Sequence, residues 1–391
     1  MHTDFYQITM AYAYWKQKRH LQQTKFQLFY RKAPFLGTGI LACGLDTAIQ
    51  YLENFKFTES DIAYLSNLNQ FESEFLDYLS HFSFTGDLKA VQEGAWVNPR
   101  EAILQITGSI TECQLLETPL LNIFNFQSLI ATKAARICLA AEKNPVIEFG
   151  LRRAQGFDGA LSASKAAYLG GCESTSNLEA AIQFGIPIRG TMSHAWVMSF
   201  VSEREAFEAY AQVFPESCVV IVDTYETLGG IQNAILLGKK LKGIRLDSGD
   251  LADLSRKARY LLDQAGLQQT LIIASGDLDE YQIRALKLQK APIDIWGVGT
   301  HLVTAFEEPA LSGVYKLASI QNLDGSWQDC HKISNDPFKS TPPGLLPMQT
   351  NLLLPIFKAG KCLYESPSLS DIRRFAKSTS EHACGDSRRQ L

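Results

Sequence analysis

No two cysteines stand as C-x-x-C in this chain of 391 residues, and none of the eight makes a ligand-like pairing with histidine. Scattered at positions 43, 113, 138, 172, 218, 330, 362 and 384, they exclude a disulfide frame and a zinc site and imply reduced core thiols. A basic excess is also lacking. Lysine and arginine total 37 against 41 acids, a net charge of −4, which excludes a general nucleic-acid binder or membrane-surface binder. No apolar run approaches the roughly 20 residues needed to cross a bilayer. The opening Met-His-Thr-Asp places an acid where a signal peptide needs positive charge. No internal repeat or low-complexity block is found. The expectation is a soluble, cytoplasmic protein that binds neither nucleic acid nor membrane.

What is present is an apolar fraction of 46% and a charged fraction of 20%, enough to bury a sizeable core. The length fits one large α/β domain plus a smaller one. Asp4 is expected to cap a helix with Gln7 returning the bond, and Phe5, Ile8, Tyr12 and Trp15 then line one face. A strand over 26–31, helices around 47–54 and 71–80, and a strand pair at 102–107 and 110–116 follow. From about Pro119 the texture changes. A helix over 120–142 leads into six short apolar runs, 146–149, 186–189, 219–222, 243–246, 271–274 and 293–296, separated by helical segments. Such alternation implies a parallel sheet, and the even spacing favours a closed or nearly closed barrel. After about 312 the run 314–320 returns the chain to the first domain. Pro337, Pro342, Pro343 and Pro347 mark a loop-rich stretch, and the last twenty residues read as a polar, frayed tail.

In a parallel barrel the loops after the strand C-termini build the active site. Those positions carry Arg152 and Arg153, then Ser193-His194, Asp223, and Arg245 with Asp247 and Asp250. The ring is completed by Ser275-Gly276-Asp277 and by Gly297-Val298-Gly299-Thr300. Charge as dense as Arg-x-Asp-Ser-Gly-Asp directly after a buried strand points to a functional cluster rather than to ordinary loop polarity. The last two loops are small and glycine-rich, which lets backbone amides approach a phosphate, and barrels often hold phosphate after their final strands. Ser275, Gly276, Gly297, Gly299 and Thr300 are therefore the candidate phosphate loop residues. His194 can act as acid, base or phosphoryl acceptor, and the residues alone leave the three open. Around Asp223, Val-Val-Ile-Val-Asp-Thr-Tyr-Glu-Thr-Leu-Gly-Gly superficially matches the diphosphate-sugar loop of purine-type phosphoribosyltransferases. That loop needs a second adjacent acid and an unbroken Thr-Gly-Gly, and Thr224 and Leu228 break both.

Seven segments, taken together, resemble the nicotinate phosphoribosyltransferase family over nearly the whole chain. They are Thr3-Asp4-Phe5-Tyr6-Gln7, Phe29-Tyr30-Arg31-Lys32, the nine residues from Glu148 to Gly156, the seven from Gly171 to Asn177, Gly190-Thr191-Met192-Ser193-His194, Arg245-Leu246-Asp247-Ser248-Gly249-Asp250 and Gly297-Val298-Gly299-Thr300. The resemblance implies an irregular TIM-like α/β barrel over 119–311 and a mixed α/β domain formed by 1–118 and completed by about 312–391. It implies a head-to-tail homodimer with shared active sites. It also implies a reaction: nicotinate and 5-phosphoribosyl 1-diphosphate give nicotinate mononucleotide and diphosphate, in NAD salvage. Magnesium, held through the bound diphosphate, and ATP as co-substrate come with it, ATP hydrolysis being coupled through a phosphohistidine at His194.

On that footing Asp223 and Asp247 hold ribose hydroxyls and magnesium. Phe149 and, across the dimer, Tyr6 sandwich the pyridine ring. Arg31 reaches the diphosphate from the neighbouring subunit, and Arg152 or Arg245 meets the nicotinate carboxylate. Thr191 and Ser176 join the substrate-binding set. Nicotinamide-using relatives place an aspartate in the segment matching Ser174-Thr175-Ser176, so neutral hydroxyls here fit the acid. The stretch from about Phe375 to Leu391 does not look like the family's ending. Rival readings are a nicotinamide-using enzyme, a quinolinate enzyme with a denser cationic pocket, and a non-catalytic barrel that binds a sugar phosphate.

Overall fold

A computed structural model of the chain describes residues 2–349 and 352–385. Its strands run in order β1 (Gln23–Tyr30), β2 (Ile40–Leu41), β3 (Asp87–Val91), β4 (Trp96–Val97), β5 (Ala102–Ser109), β6 (Val146–Glu148), β7 (Ser174–Thr175) and β8 (Val219–Ile221). Then come β9 (Gly243–Leu246), β10 (Leu271–Ala274), β11 (Ile295–Val298), β12 (Gly313–Gln321), β13 (Trp327–Asp329), β14 (Leu353–Lys358) and β15 (Lys361–Cys362). The chain divides into two compact units, one built from residues up to Leu129 and from Ala310 onward, the other from Ile130–Pro309.

The first unit is organised by an antiparallel sheet in the order β13-β12-β1-β5-β3-β14-β15. Leu28 at its centre faces Tyr315 on one side and Leu104 on the other, and all three are buried. Three expectations change here. Residues 110–116 do not form a strand: Ser109 and Glu112 make a reciprocal capping box, and the helix Ile110–Leu115 starts there. A Ser-x-x-Glu after an apolar run outweighs the β propensity of Ile110 and Thr111. Asp4 stands at a helix N-terminus without capping it, because its carboxylate accepts from the Thr118 hydroxyl at 2.7 Å, and Gln7 is buried against Glu117. The polar ending is a helix, Leu369–Gly385, as far as the structure describes it. Ile372 and Ala376 bury one face, and the Thr379 hydroxyl donates to the Gly94 carbonyl at 2.7 Å.

The second unit carries a six-stranded parallel sheet in the order β7-β6-β11-β10-β9-β8. Strands covered on both faces need continuous apolar runs, and Val220, Ile221, Ile244, Leu246, Ile272, Ile273 and Ala274 are all buried. The apolar run at 293–296 is displaced, the strand being β11, and 186–189 contributes a single bridge, Thr175 to Ile188. Pro187 has no amide hydrogen with which to extend that ladder. Among the described residues no pairing joins this edge to β8, so the sheet is parallel but not hydrogen-bonded into a closed barrel.

Candidate active site

Parallel register brings the acids together. Ile221 lies opposite Arg245 and Leu246 opposite Ala274, so two residues beyond β8 and one beyond β9, Asp223, Asp247 and Ser275 emerge side by side at one end of the sheet. Hydrogen bonds then lock the loops. One oxygen of Asp223, Oδ2, accepts from the Asp247 amide at 2.9 Å and from the Ser248 hydroxyl at 2.6 Å. The Ser275 hydroxyl donates to Asp247 Oδ1. Gly276 follows at φ +97°, and a Cβ there would run into the Asp247 carbonyl, so only glycine fits this crossing.

His194 opens the short helix His194–Met198 and points into the same group. Its Nε2 is 3.9 Å from Asp223 Oδ1 and 3.9 Å from Asp247 Oδ2, and its Nδ1 is 3.2 Å from the Thr224 hydroxyl. The Asp223 side chain is 1% exposed, yet its Oδ1 has no hydrogen-bond partner among the described residues. A buried, unpartnered carboxylate oxygen costs on the order of 1–3 kcal/mol unless a ligand or cation meets it.

Arg245 donates through Nη1 to the Thr191 hydroxyl at 2.9 Å, and its Nη2 is 3.6 Å from Asp247. Its buried Nε likewise has no acceptor among the described residues. Burial pushes the Arg245 guanidinium below the ordinary arginine range, Asp247 and Asp223 oppose that, and the charge of Arg152 adds to it. Arg152 itself is exposed on the turn after β6.

Phe149, half-buried at the end of β6, lies against the glycine loop: a Cβ on Gly297 would stand 2.6 Å from its ring. A Cβ on Gly299 would stand 3.3 Å from the Phe149 carbonyl oxygen, tighter than ordinary contact, and the Phe149 amide donates to the Val298 carbonyl at 2.7 Å. The Thr300 hydroxyl donates to Asp277 at 3.3 Å. Ser176 is half-buried at the end of β7, its amide bonded to the Glu148 carbonyl at 2.9 Å. Thus His194, Asp223, Asp247, Arg245, Thr191, Ser275 and Gly276 form one cluster, with Phe149, Gly297 and Gly299 as a second packed group. Tyr6, on the helix Phe5–Lys16, and Arg31, after β1, belong to the first unit. Burial, then Glu117 and Asp4, raise the Tyr6 phenol.

Three residues that the motifs contain were given no task by sequence reasoning. Thr224 binds His194, Ser248 binds Asp223, and Glu148 is a buried carboxylate that accepts from Gly150, from Ser164 at 2.9 Å and from Thr175 at 2.5 Å. Each neighbours a residue that had been singled out, which is the signal available in the chain. Thr175 spends its hydroxyl on Glu148, so of Ser174-Thr175-Ser176 it is not a free hydroxyl for a ligand.

A second charged cluster lies in the same unit. Lys133 Nζ is 2.5 Å from Glu280 and 2.6 Å from Glu307, Arg136 Nε is 2.8 Å from Glu280, and His301 Nδ1 is 3.4 Å from Glu307. Asp279, His301 and Glu307 have metal-ligand proximity, but the ammonium of Lys133 already neutralises Glu307, and Asp279 caps the helix Glu280–Leu288.

Residues 1–125 match the profile described as the nicotinate phosphoribosyltransferase N-terminal domain, and 145–340 the nicotinate phosphoribosyltransferase family. The chain is 48% identical to "Nicotinate phosphoribosyltransferase" of Bacillus subtilis (strain 168), over 88% of this chain and 71% of that protein. It is 42% identical to the protein of that name from Dictyostelium discoideum, over 88% of this chain and 67% of that one. The crystal structure of human nicotinic acid phosphoribosyltransferase superposes with a TM-score of 0.80 at 28% identity, over 97% of this chain and 93% of that one. At 22% identity, a nicotinate-nucleotide pyrophosphorylase from Pyrococcus furiosus shares the fold, with a TM-score of 0.74 over 97% of this chain and 94% of that one.

Proposed function

The chain belongs to the nicotinate phosphoribosyltransferase family, and from that premise we propose how its own residues carry out the reaction. It is a nicotinate phosphoribosyltransferase, making nicotinate mononucleotide in NAD salvage. The bond formed joins the pyridine nitrogen to the ribose anomeric carbon. The bond broken is that carbon's link to the diphosphate oxygen, and its electron pair leaves with diphosphate. Positive charge builds on the ribose in between, and fixed carboxylates facing that charge stabilise it without reorganising.

The observation that carries the assignment of roles is the convergence of His194, Asp223 and Asp247, with one Asp223 oxygen buried and unpartnered. Asp223 and Asp247 take the ribose hydroxyls. Arg245, whose Nε also lacks an acceptor, makes a charge-assisted bond to the nicotinate carboxylate, with Arg152 adding positive potential. Phe149 covers one face of the pyridine ring, and Thr191 and Ser176 line the same pocket. The loops at Ser275-Gly276 and Gly297–Thr300 receive phosphate. Tyr6 and Arg31 act from a second copy in a homodimer with shared sites.

The donor set also fits a hard divalent cation. Asp223 Oδ1 is an unsatisfied buried carboxylate oxygen, and Asp247 is partly open to solvent beside it. Magnesium, arriving with the diphosphate, would be held there and would supply charge neutralisation of the leaving group. ATP acts as co-substrate, with His194 as the phosphoryl acceptor. The strands of the second unit serve as the family's irregular barrel, and the protein works in the cytoplasm. No helix among the described residues is long and apolar enough to cross a membrane.

The test is incubation of purified protein with magnesium, 5-phosphoribosyl 1-diphosphate and labelled nicotinate or nicotinamide, with and without ATP. Nicotinate mononucleotide formed faster with ATP, with ATP consumed, is the expected result. Product from nicotinamide alone would overturn the carboxylate role of Arg245, and an ATP-indifferent rate would overturn the role of His194.

A further inference from the structure

We propose that Thr224 is a positioning residue that selects Nε2 of His194 as the nitrogen that reacts. Thr224 was set aside in the sequence as the residue that spoils a diphosphate-sugar loop, yet its hydroxyl is at hydrogen-bond distance from His194 Nδ1, at 3.2 Å. For the opposite ring nitrogen, Nε2, no hydrogen bond is found among the described residues: both carboxylates stand at 3.9 Å, beyond hydrogen-bond length. One side of the imidazole is thus held and the other is left facing the acids. The side chain is 38% exposed, so a reactant has a path to it.

A ring nitrogen that attacks needs a lone pair, so in the neutral imidazole the proton belongs on the other nitrogen. Thr224 Oγ provides an acceptor for that proton on Nδ1. The inference rests on the reading of His194 as phosphoryl acceptor, and the step balances simply. The Nε2 lone pair forms the N–P bond to the terminal phosphorus of ATP. The P–O bond to ADP breaks with its electron pair leaving on ADP, and the Nδ1 proton stays where it is, donated to Thr224. The ring becomes cationic, and Asp223 and Asp247 face that charge. A ring turned over would bring Nδ1 toward the acids and abandon the bond to Thr224.

Two measurements separate this proposal from the reading beneath it. The phosphoenzyme formed with ATP and magnesium, digested in alkali, should contain 3-phosphohistidine, the Nε2 isomer. Thr224→Val should be phosphorylated on the order of fivefold more slowly, the factor set by loss of one ordinary hydrogen bond, and should yield some of the Nδ1 isomer. Thr224→Ser should restore both. Without ATP, nitrogen NMR of histidine-labelled protein, with His194→Asn identifying the signals, should show the His194 proton on Nδ1 and its redistribution in Thr224→Val. The Nδ1 isomer in the native protein, or a Thr224→Val protein identical to native in both readouts, overturns the proposal. An Nδ1-protonated ring with no phosphohistidine upholds the orientation and removes the phosphoryl role of His194.

Discussion

The second unit holds two clusters of buried charge, and they are built on opposite plans. Around Lys133 every group is paired: Glu280 takes both Lys133 and Arg136, and Glu307 takes Lys133 and His301. Around His194 the pairing is incomplete. Among the described residues, Asp223 keeps a bare buried oxygen, Arg245 a bare buried nitrogen, and His194 sits between acids too far away to bond. Both clusters contain acids, bases and a histidine, so composition does not separate them. Satisfaction does: the first spends its polarity on the fold, and the second leaves buried polar atoms without partners among the described residues, the feature on which the proposed ligand site rests.

The largest effect is expected at Lys133. Replacing it with Met leaves Glu280 buried beside a single cation, and loss of one partner of a buried pair costs about 3–5 kcal/mol. Chemical denaturation should show that loss. A change of less than about 1 kcal/mol would mean the cluster is not the structural one. Asp223→Asn should do the reverse. The Asn carbonyl oxygen can still accept from Asp247 and Ser248, so stability should hold, while turnover should fall about 100- to 1,000-fold, as for other groups that face developing charge. Steady-state rates beside a melting curve decide it.

Glycines sharpen the contrast on a smaller scale. Gly276→Ala forces a side chain into the Asp247 carbonyl at positive φ and should lose about 1–3 kcal/mol together with activity. Gly159→Ala meets nothing within 4 Å in the helix Gly156–Leu169 and should gain about 0.5–1 kcal/mol. The smallest effect is a pH effect. Glu203, which opens the helix Glu203–Val213, has its carboxyl raised by burial, opposed by its bond to Asn233 and reinforced by Glu226 and Asp223. A raised folded-state acid favours the protonated form, so its stability contribution is present at low pH and lost as pH rises through the folded value. Glu203→Gln should therefore stabilise the protein at pH 8 and leave its stability unchanged near pH 4. Equal stabilisation at both pH values would place the effect in packing.

Local chemistry explains which parts were legible. The apolar runs at 243–246 and 271–274 are β9 and β10, because a strand buried on both faces must be apolar along its whole length. The helix at Ile110 was missed although its Ser109–Glu112 box is written in the chain, because β-branched residues over the same stretch gave a competing signal. The two-residue β7 carries no periodicity at all and exists through pairing with β6. In the site, Arg245 and Asp247 were visible as charge after a buried strand. Thr224 and Glu148 were not, since a hydroxyl or a carboxylate shows its task only by what it touches.

By itself the sequence determined the family, the alternation of strand and helix in the second unit, and which strand ends carry charge, because motif chemistry and hydrophobic period are local properties. The tertiary structure alone decided that, among the described residues, no hydrogen-bonded pairing joins Ile188 to β8 and Asp223 Oδ1 has no partner while Glu148 accepts several bonds. It also decided which face of His194 is held. These follow from register and packing between segments tens of residues apart, where a hydrogen bond depends on distances that no stretch of sequence contains.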